Sequence, residues 1–138
     1  MDKAMNYVAL AKKARLVELG EEPVGAVTRA LKARLVIVAS DAGDHTWRRA
    51  KSFVAGTNQQ CIRIPQSKDE LGLAVGRTSL AIAAFTDTAL ALAFVKALPE
   101  QEKYTAQLEA LQEQDKKQQQ RRSEAKAHRK NGKSGKKK

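Results

Sequence analysis

The sequence predicts an α/β protein: a three-layer α/β/α sandwich around a mixed four-stranded sheet, with a C-terminal helical and disordered basic tail. Three observations predict it. Four short aliphatic runs, at 17–19, 35–39, 61–64 and 80–85, each have the length and composition of a strand. Stretches of helical spacing separate them, and a chain that alternates in this way places helices on both faces of a sheet. The last residues, 114–138, have no apolar periodicity and are strongly basic, so they lie outside any core.

The elements follow in order. Met5, Val8, Ala9 and Leu16 recur at near-helical spacing, which predicts a first helix over 3–15. Lys12, Lys13 and Arg15 gather at its C-terminal end. The helix dipole explains that cluster as well as a polyanion does. Val17 to Leu19 reads as an edge strand ending at Gly20. Pro23 suits the first turn of a second helix, where its missing N–H is not needed. Val24, Val27 and Leu31 would form that helix's buried face. Gly25 weakens it by about 1 kcal/mol relative to Ala. The cost fits either close approach by a partner or close packing on a neighbouring element.

Leu35 to Ala39 is a β-branched run expected to be buried on both faces. Asp44 is the expected N-cap of a third helix, with Trp47, Ala50 and Val54 as its inner stripe. Cys61 to Ile64 reads as a second strand of the buried type, stopped by Pro65. Ser67 and Glu70 make a capping box, so a short helix runs over 68–75. Gly76 is its expected left-handed C′ residue. Leu80 to Phe85 is the fourth strand, and Asp87 caps a helix that ends at Pro99. The apolar run 80–98 therefore divides into a strand and a helix and is no membrane span. Beyond it, Tyr104, Leu108 and Leu111 give one short apolar stripe. The domain reading is a body over 1–98, a polar helical extension over 99–128 and a disordered tail over 129–138.

The formal net charge is +11, and it is unevenly spread. Residues 1–98 hold 14 Lys/Arg against 9 Asp/Glu, and residues 114–138 hold 11 against 2. A basic body with a more basic end points to a polyanion, and RNA, DNA and an anionic membrane surface share that chemistry. The single cysteine, Cys61, excludes an internal disulfide and fits a reducing compartment. The N-terminus has lysines where a signal peptide needs a continuous apolar segment.

Catalytic and metal chemistry find little footing. His45 and His128 have no Cys, His or carboxylate partner at metal-ligand spacing. Glu21 and Glu22 open a helix, where the dipole explains them better than acid–base work. Asp41 and Asp44 follow a strand end, a place enzymes use, but turns and caps use it more often. Neither a GxGxxG nor a GxxxxGK[ST] is present. The chain is expected to be no enzyme and to need no cofactor.

Three segments resemble the kink-turn-binding ribosomal protein family, which includes the large-subunit proteins "seven-Ae" and "thirty-e". The match is to its small bacterial, YlxQ-like branch. Leu10-Ala11-Lys12-Lys13-Ala14 with Gly20-Glu21-Glu22 resembles LA-x-x-A followed by SGE. Ala33 to Ala42, ARLVIVASDA, resembles AKLVIIAEDA, and Leu71 to Gly76, LGLAVG, resembles LG-x-A-x-G. The likeness covers about residues 4–98, with ungapped spacing from Gly20 to Asp41.

The resemblance implies that a loop after the short helix, together with the start of the second helix, grips a sharply bent RNA. Carried over by position, the loop is Gly76, Arg77, Thr78 and Ser79, and the helix start is Gly20, Glu21, Glu22, Gly25 and Ala26, with Arg29 one turn on. RNA bulges are read in this way, by shape and by splayed bases. The family's second-helix motif G-x-N-E-x-T-K departs here. Glu22 stands for its Asn, Pro23 for its Glu, Gly25 for its Thr and Ala26 for its Lys. Charge-assisted contacts are worth about 1.5–3 kcal/mol each, so such losses imply changed or weaker kink-turn binding.

The function expected from all this is a non-enzymatic, cytoplasmic, monomeric RNA-binding protein, ribosomal-like or ribosome-associated, with no membrane attachment. Two other readings remain open. In one, Tyr104, Leu108 and Leu111 dock a protein partner. In the other, the tail binds nucleic acid without specificity.

Overall fold

The structure is a computed structural model that describes the backbone of residues 2–136 and the side chains of residues 2–126. The chain order is α1 (Lys3–Lys13), β1 (Val17–Leu19), α2 (Glu21–Arg29), β2 (Leu35–Val38), α3 (Asp44–Val54) and β3 (Gln60–Arg63). It continues with α4 (Lys68–Ala74), β4 (Ile82–Phe85), α5 (Thr88–Lys96), a 3-10 turn (Gln101–Tyr104) and α6 (Thr105–Lys136). The strands form one sheet in the order β1-β4-β2-β3. β4 runs antiparallel to both its neighbours, with Val17 opposite Phe85 and Val36 opposite Ala84, whereas β2 and β3 are parallel. The sheet is therefore mixed, and the α/β sandwich expected from the sequence is the fold. α2 and α3 pack together on one face, and α1, joined by α4 and α5, on the other.

The two central strands, β2 and β4, are buried along their whole length. In β3 only Ile62 is fully buried, with Ile64 just beyond it. The expectation that Cys61 to Ile64 is covered on both faces is corrected: β3 is an edge strand, so its flanks stay half open. Cys61 nonetheless lies deep enough that desolvation pushes its thiol up to about 12, against a weaker opposing pull from Lys51. At pH 8 its alkylation by iodoacetamide should be more than tenfold slower in the folded chain than in the urea-unfolded chain. Equal rates would show the thiol to be open.

Two caps differ from the sequence reading. Gly43, not Asp44, is the N-cap of α3, and no side chain caps that helix. Asp44 is its first residue, where the carboxylate meets the positive end of the dipole. α2 ends at Arg29 rather than continuing through Leu31. Leu31 adopts φ 58° and is 64 % exposed, so the buried face is Val24, Gly25 and Thr28 instead. The reason is a Schellman closure: Lys32 N–H donates to Val27 O at 3.0 Å and Leu31 N–H to Thr28 O at 3.0 Å. The capping box of Ser67 with Glu70 and the Asp87 cap are as the sequence predicts.

The segment after Pro99 also differs. Tyr104 and Leu111 are buried members of the core, with Leu108 packed against it. The stripe is thus spent on the chain's own fold, which removes it as a docking stripe for a protein partner. α6 packs on α5 and β3, and its backbone is helical to Lys136, past residue 128 where the sequence reading ended the helix. Gln, Lys, Arg and Ala, good helix formers, fill residues 116–128, whereas 129–136 includes Asn131, Gly132, Ser134 and Gly135, which add no helix preference of their own. The side chains of 127–138 and the backbone of 137 and 138 lie outside the described residues; of the tail expected to be disordered over 129–138, the backbone to Lys136 is helical and only the last two residues fall outside the description. No helix among the described residues is long and apolar enough to cross a membrane.

Candidate nucleic-acid interface

Two turns at one end of the sheet meet. The first is Gly20, between β1 and α2. It has φ 96° and ψ 163°, a backbone state that L side chains avoid. Its N–H donates to Ile82 O at 3.0 Å, which fixes the turn against the beginning of β4. No side chain caps α2.

The second is the loop Gly76–Ser79, between α4 and β4. Several bonds set its position. At the start of α4, Asp41 Oδ1 accepts from Lys68 N–H at 2.7 Å, and Leu80 N–H donates to Lys68 O at 3.0 Å, which brings the loop back along the helix. Asp41 therefore serves as a capping group. At the C-terminal end, Arg77 N–H donates to Gly72 O at 2.8 Å and Gly76 N–H to Leu73 O at 3.3 Å, a Schellman motif with Gly76 at φ 75°. Gly72 has its own role. A Cβ there would stand 2.8 Å from Ser79 Cα and N and 2.9 Å from Arg77 O, all backbone atoms. The two glycines thus divide the work: Gly76 lets the chain turn, and Gly72 lets it lie back on the helix.

α1 completes the arrangement. Lys12 Nζ donates to Val75 O at 2.5 Å, a cation at the negative end of α4. The same ammonium lies 3.9 Å from where a Gly76 Cβ would be, and Arg77 Nη1 lies 3.9 Å from where a Gly20 Cβ would be. Lys12, the Gly20 turn and the loop therefore form one continuous surface. Gly76, Arg77, Thr78 and Ser79 are all exposed.

The remaining sequence candidates divide. Glu22 and Ala26 are exposed on α2. Glu21 forms an ion pair with Arg49 of α3, so its charge is compensated from the neighbouring helix. Gly25 is buried, and the structure does not place it on the exposed face: the Phe53 ring is 3.2 Å, and Arg29 Nη1 3.2 Å, from where its Cβ would be. Of the two readings of Gly25, close packing is the one realised. Arg29, though exposed, lays its guanidinium back over that glycine. Lys12 is the residue that sequence reasoning left out of the face. The only available signal was its place in a cluster the dipole already explained.

The chemistry of the face is cationic and donor-rich. An ammonium and a guanidinium flank two glycine turns and two hydroxyl side chains, with Glu22 as the opposing charge. Such a surface can meet phosphates and leave room for an unstacked base. Elsewhere, a groove of about 850 Å³ runs along β3 between Trp47 and Tyr104. Lys51 and Arg63 both lie over the Trp47 ring, at 5.4 and 5.6 Å from its centroid, so that ring is already engaged.

The fold has solved counterparts. A protein of unknown function from Bacillus halodurans C aligns with a TM-score of 0.66 and 24 % identity, over 72 % of this chain and 100 % of that one. A Giardia lamblia 15.5 kD RNA-binding protein aligns with a TM-score of 0.58 and 21 % identity, over 78 % of this chain and 85 % of that one. At these identities the likeness establishes the fold alone. No family model matches the chain, and none of the curated proteins matches it by sequence.

Proposed function

We propose that the chain is a non-enzymatic RNA-binding protein of the kink-turn-binding ribosomal type, acting in the cytoplasm as a monomer, on or near the ribosome. It holds a structured, sharply bent RNA against the joint face of Lys12, Gly20, Glu21, Glu22 and Gly76–Ser79. The observation that carries this reading is the convergence of the Gly20 turn and the Gly76–Ser79 loop, with Arg77 beside one glycine and Lys12 beside the other. The two segments singled out by the family resemblance are far apart in sequence and adjacent in space. The fold shared with a Giardia RNA-binding protein agrees with it.

Specificity differs from the family pattern through Glu22 and Ala26. A carboxylate near phosphates and a missing ammonium weaken the grip on the sheared pairs of a kink-turn. Affinity is then shared with the cations of residues 114–138, which act through counterion release.

Competition between a kink-turn hairpin and a straight duplex of equal length tests the reading. The full chain should prefer the bent RNA about tenfold or more. Removal of residues 114–138 should flatten the salt dependence of both affinities and leave that preference in place. Equal affinity for the two RNAs, or a preference that disappears with the tail, would overturn it.

A further inference from the structure

We propose that the opposite pole of the molecule carries a second phosphate-binding site. Arg34 of the body and Lys117 and Arg121 of α6 build it together, and it takes the sugar–phosphate backbone of a second segment of RNA. The identity of the polyanion rests on the reading above; the site itself rests on a separate set of residues.

Its position follows from the sheet. Arg34 N–H donates to Phe85 O at 2.7 Å, where β4 finishes, whereas Gly20 N–H donates to Ile82 O, where β4 begins. The length of β4 separates the two places, roughly 10 Å of strand before any side chain extends. The two faces cannot share one phosphate. They can take two segments of one folded RNA.

Its chemistry is selective. Arg34, Lys117 and Arg121, with the amides of Asn58, Gln114 and Gln118, line a polar cleft of about 390 Å³ that contains no carboxylate among its lining. Neither ion pair among the described residues involves any of the three cations. Guanidinium forks match phosphate oxygens, and the amides add neutral donors.

Its geometry is held. α6 is fixed to the body by Leu111, which is 0 % exposed, and by Gln114 Nε2, which donates to Asn58 O at 3.1 Å. Lys117 and Arg121 are four apart, so they share the helix face that continues from this anchor. Arg34 meets them from the beginning of β2. A loose basic tail has no such partner on the body.

The test uses the full chain, a kink-turn hairpin trimmed close to its bend, and the same hairpin with one stem extended. R34Q/K117Q/R121Q is compared with K116Q/R122Q/K126Q, which removes equal charge from α6 positions that do not line the cleft. All six residues are exposed, so both variants should keep the wild-type circular dichroism and Tm. Wild type should bind the extended hairpin more tightly than the trimmed one. The cleft variant should lose that gain, about tenfold, with a salt slope lower by about 2, since each phosphate contributes roughly 0.7–0.9. The control variant should retain most of the gain. The proposal is overturned if the control loses as much as the cleft variant, if the cleft variant is weakened equally on both hairpins, or if it is not weakened at all. Failure of the first face reads differently: Lys12→Ala and Arg77→Ala would then leave the trimmed hairpin unaffected, while the cleft variant still lost the extended stem.

Discussion

Gly72→Ala is expected to destabilise the chain by about 3 kcal/mol and to lower its Tm by about 10 °C. An added methyl usually strengthens a helix, by up to about 1 kcal/mol relative to glycine. Here the new Cβ would stand 2.8 Å from the Ser79 backbone and 2.9 Å from Arg77 O. Backbone atoms in a closed loop have no rotamer to escape into. The loop must therefore lift from α4, which also breaks the Arg77 N–H to Gly72 O bond and carries Arg77 away from Gly20. RNA affinity should fall with stability. Gly76→Ala is the informative contrast. Its Cβ would meet only the Lys12 ammonium, at an ordinary contact distance of 3.9 Å, so the cost is that of a left-handed alanine, about 1–2 kcal/mol. Urea unfolding of the two variants beside wild type checks the order. A Gly72→Ala protein as stable as wild type would mean that the loop does not rest on the helix.

Lys12→Ala/Arg77→Ala should weaken binding to the bent hairpin about a hundredfold. Two charge-assisted contacts at about 1.5 kcal/mol each give that factor. Arg77 is exposed and should affect stability by less than about 0.5 kcal/mol. Lys12 also caps α4 through Val75 O, so the double variant should lose about 1 kcal/mol of stability and remain folded. A straight duplex should lose less, because it meets these cations only through general electrostatics. Fluorescence anisotropy with both RNAs at one salt concentration measures this. Equal losses on bent and straight RNA would assign Lys12 and Arg77 to nonspecific attraction.

Much of this architecture was legible in the residues. The four strands were visible as aliphatic runs because two of them are buried on both faces and contain almost nothing else. The capping box at Ser67 and the left-handed Gly76 were legible because each is a local device whose partners lie within a few residues. What escaped was set at long range. Leu31 reads as part of an apolar face, but α2 closes two residues earlier, and Leu31 itself takes the left-handed position of that closure. Cys61 to Ile64 has the composition of a central strand, and only the sheet order shows that it is an edge. Tyr104, Leu108 and Leu111 read as a free stripe because nothing in their spacing says that α5 and β3 lie beneath them. The face itself was half legible. The glycines marked it, but the contact of Lys12 with Val75 spans 63 positions, and no local pattern encodes it. Gly25 was misleading for the same reason: its partner, Phe53, sits on another helix.

On the reading proposed above, the Gly20 turn and the Gly76–Ser79 loop form one docking surface for bent RNA. Amide chemical-shift mapping of the labelled full chain, titrated with the trimmed kink-turn hairpin, tests it most directly. The amides of Gly20, Glu21 and Gly76 to Ser79 should move together at the same RNA concentration, while those of β3 stay in place. Shifts along β3 and α3, with both turns unchanged, would contradict it.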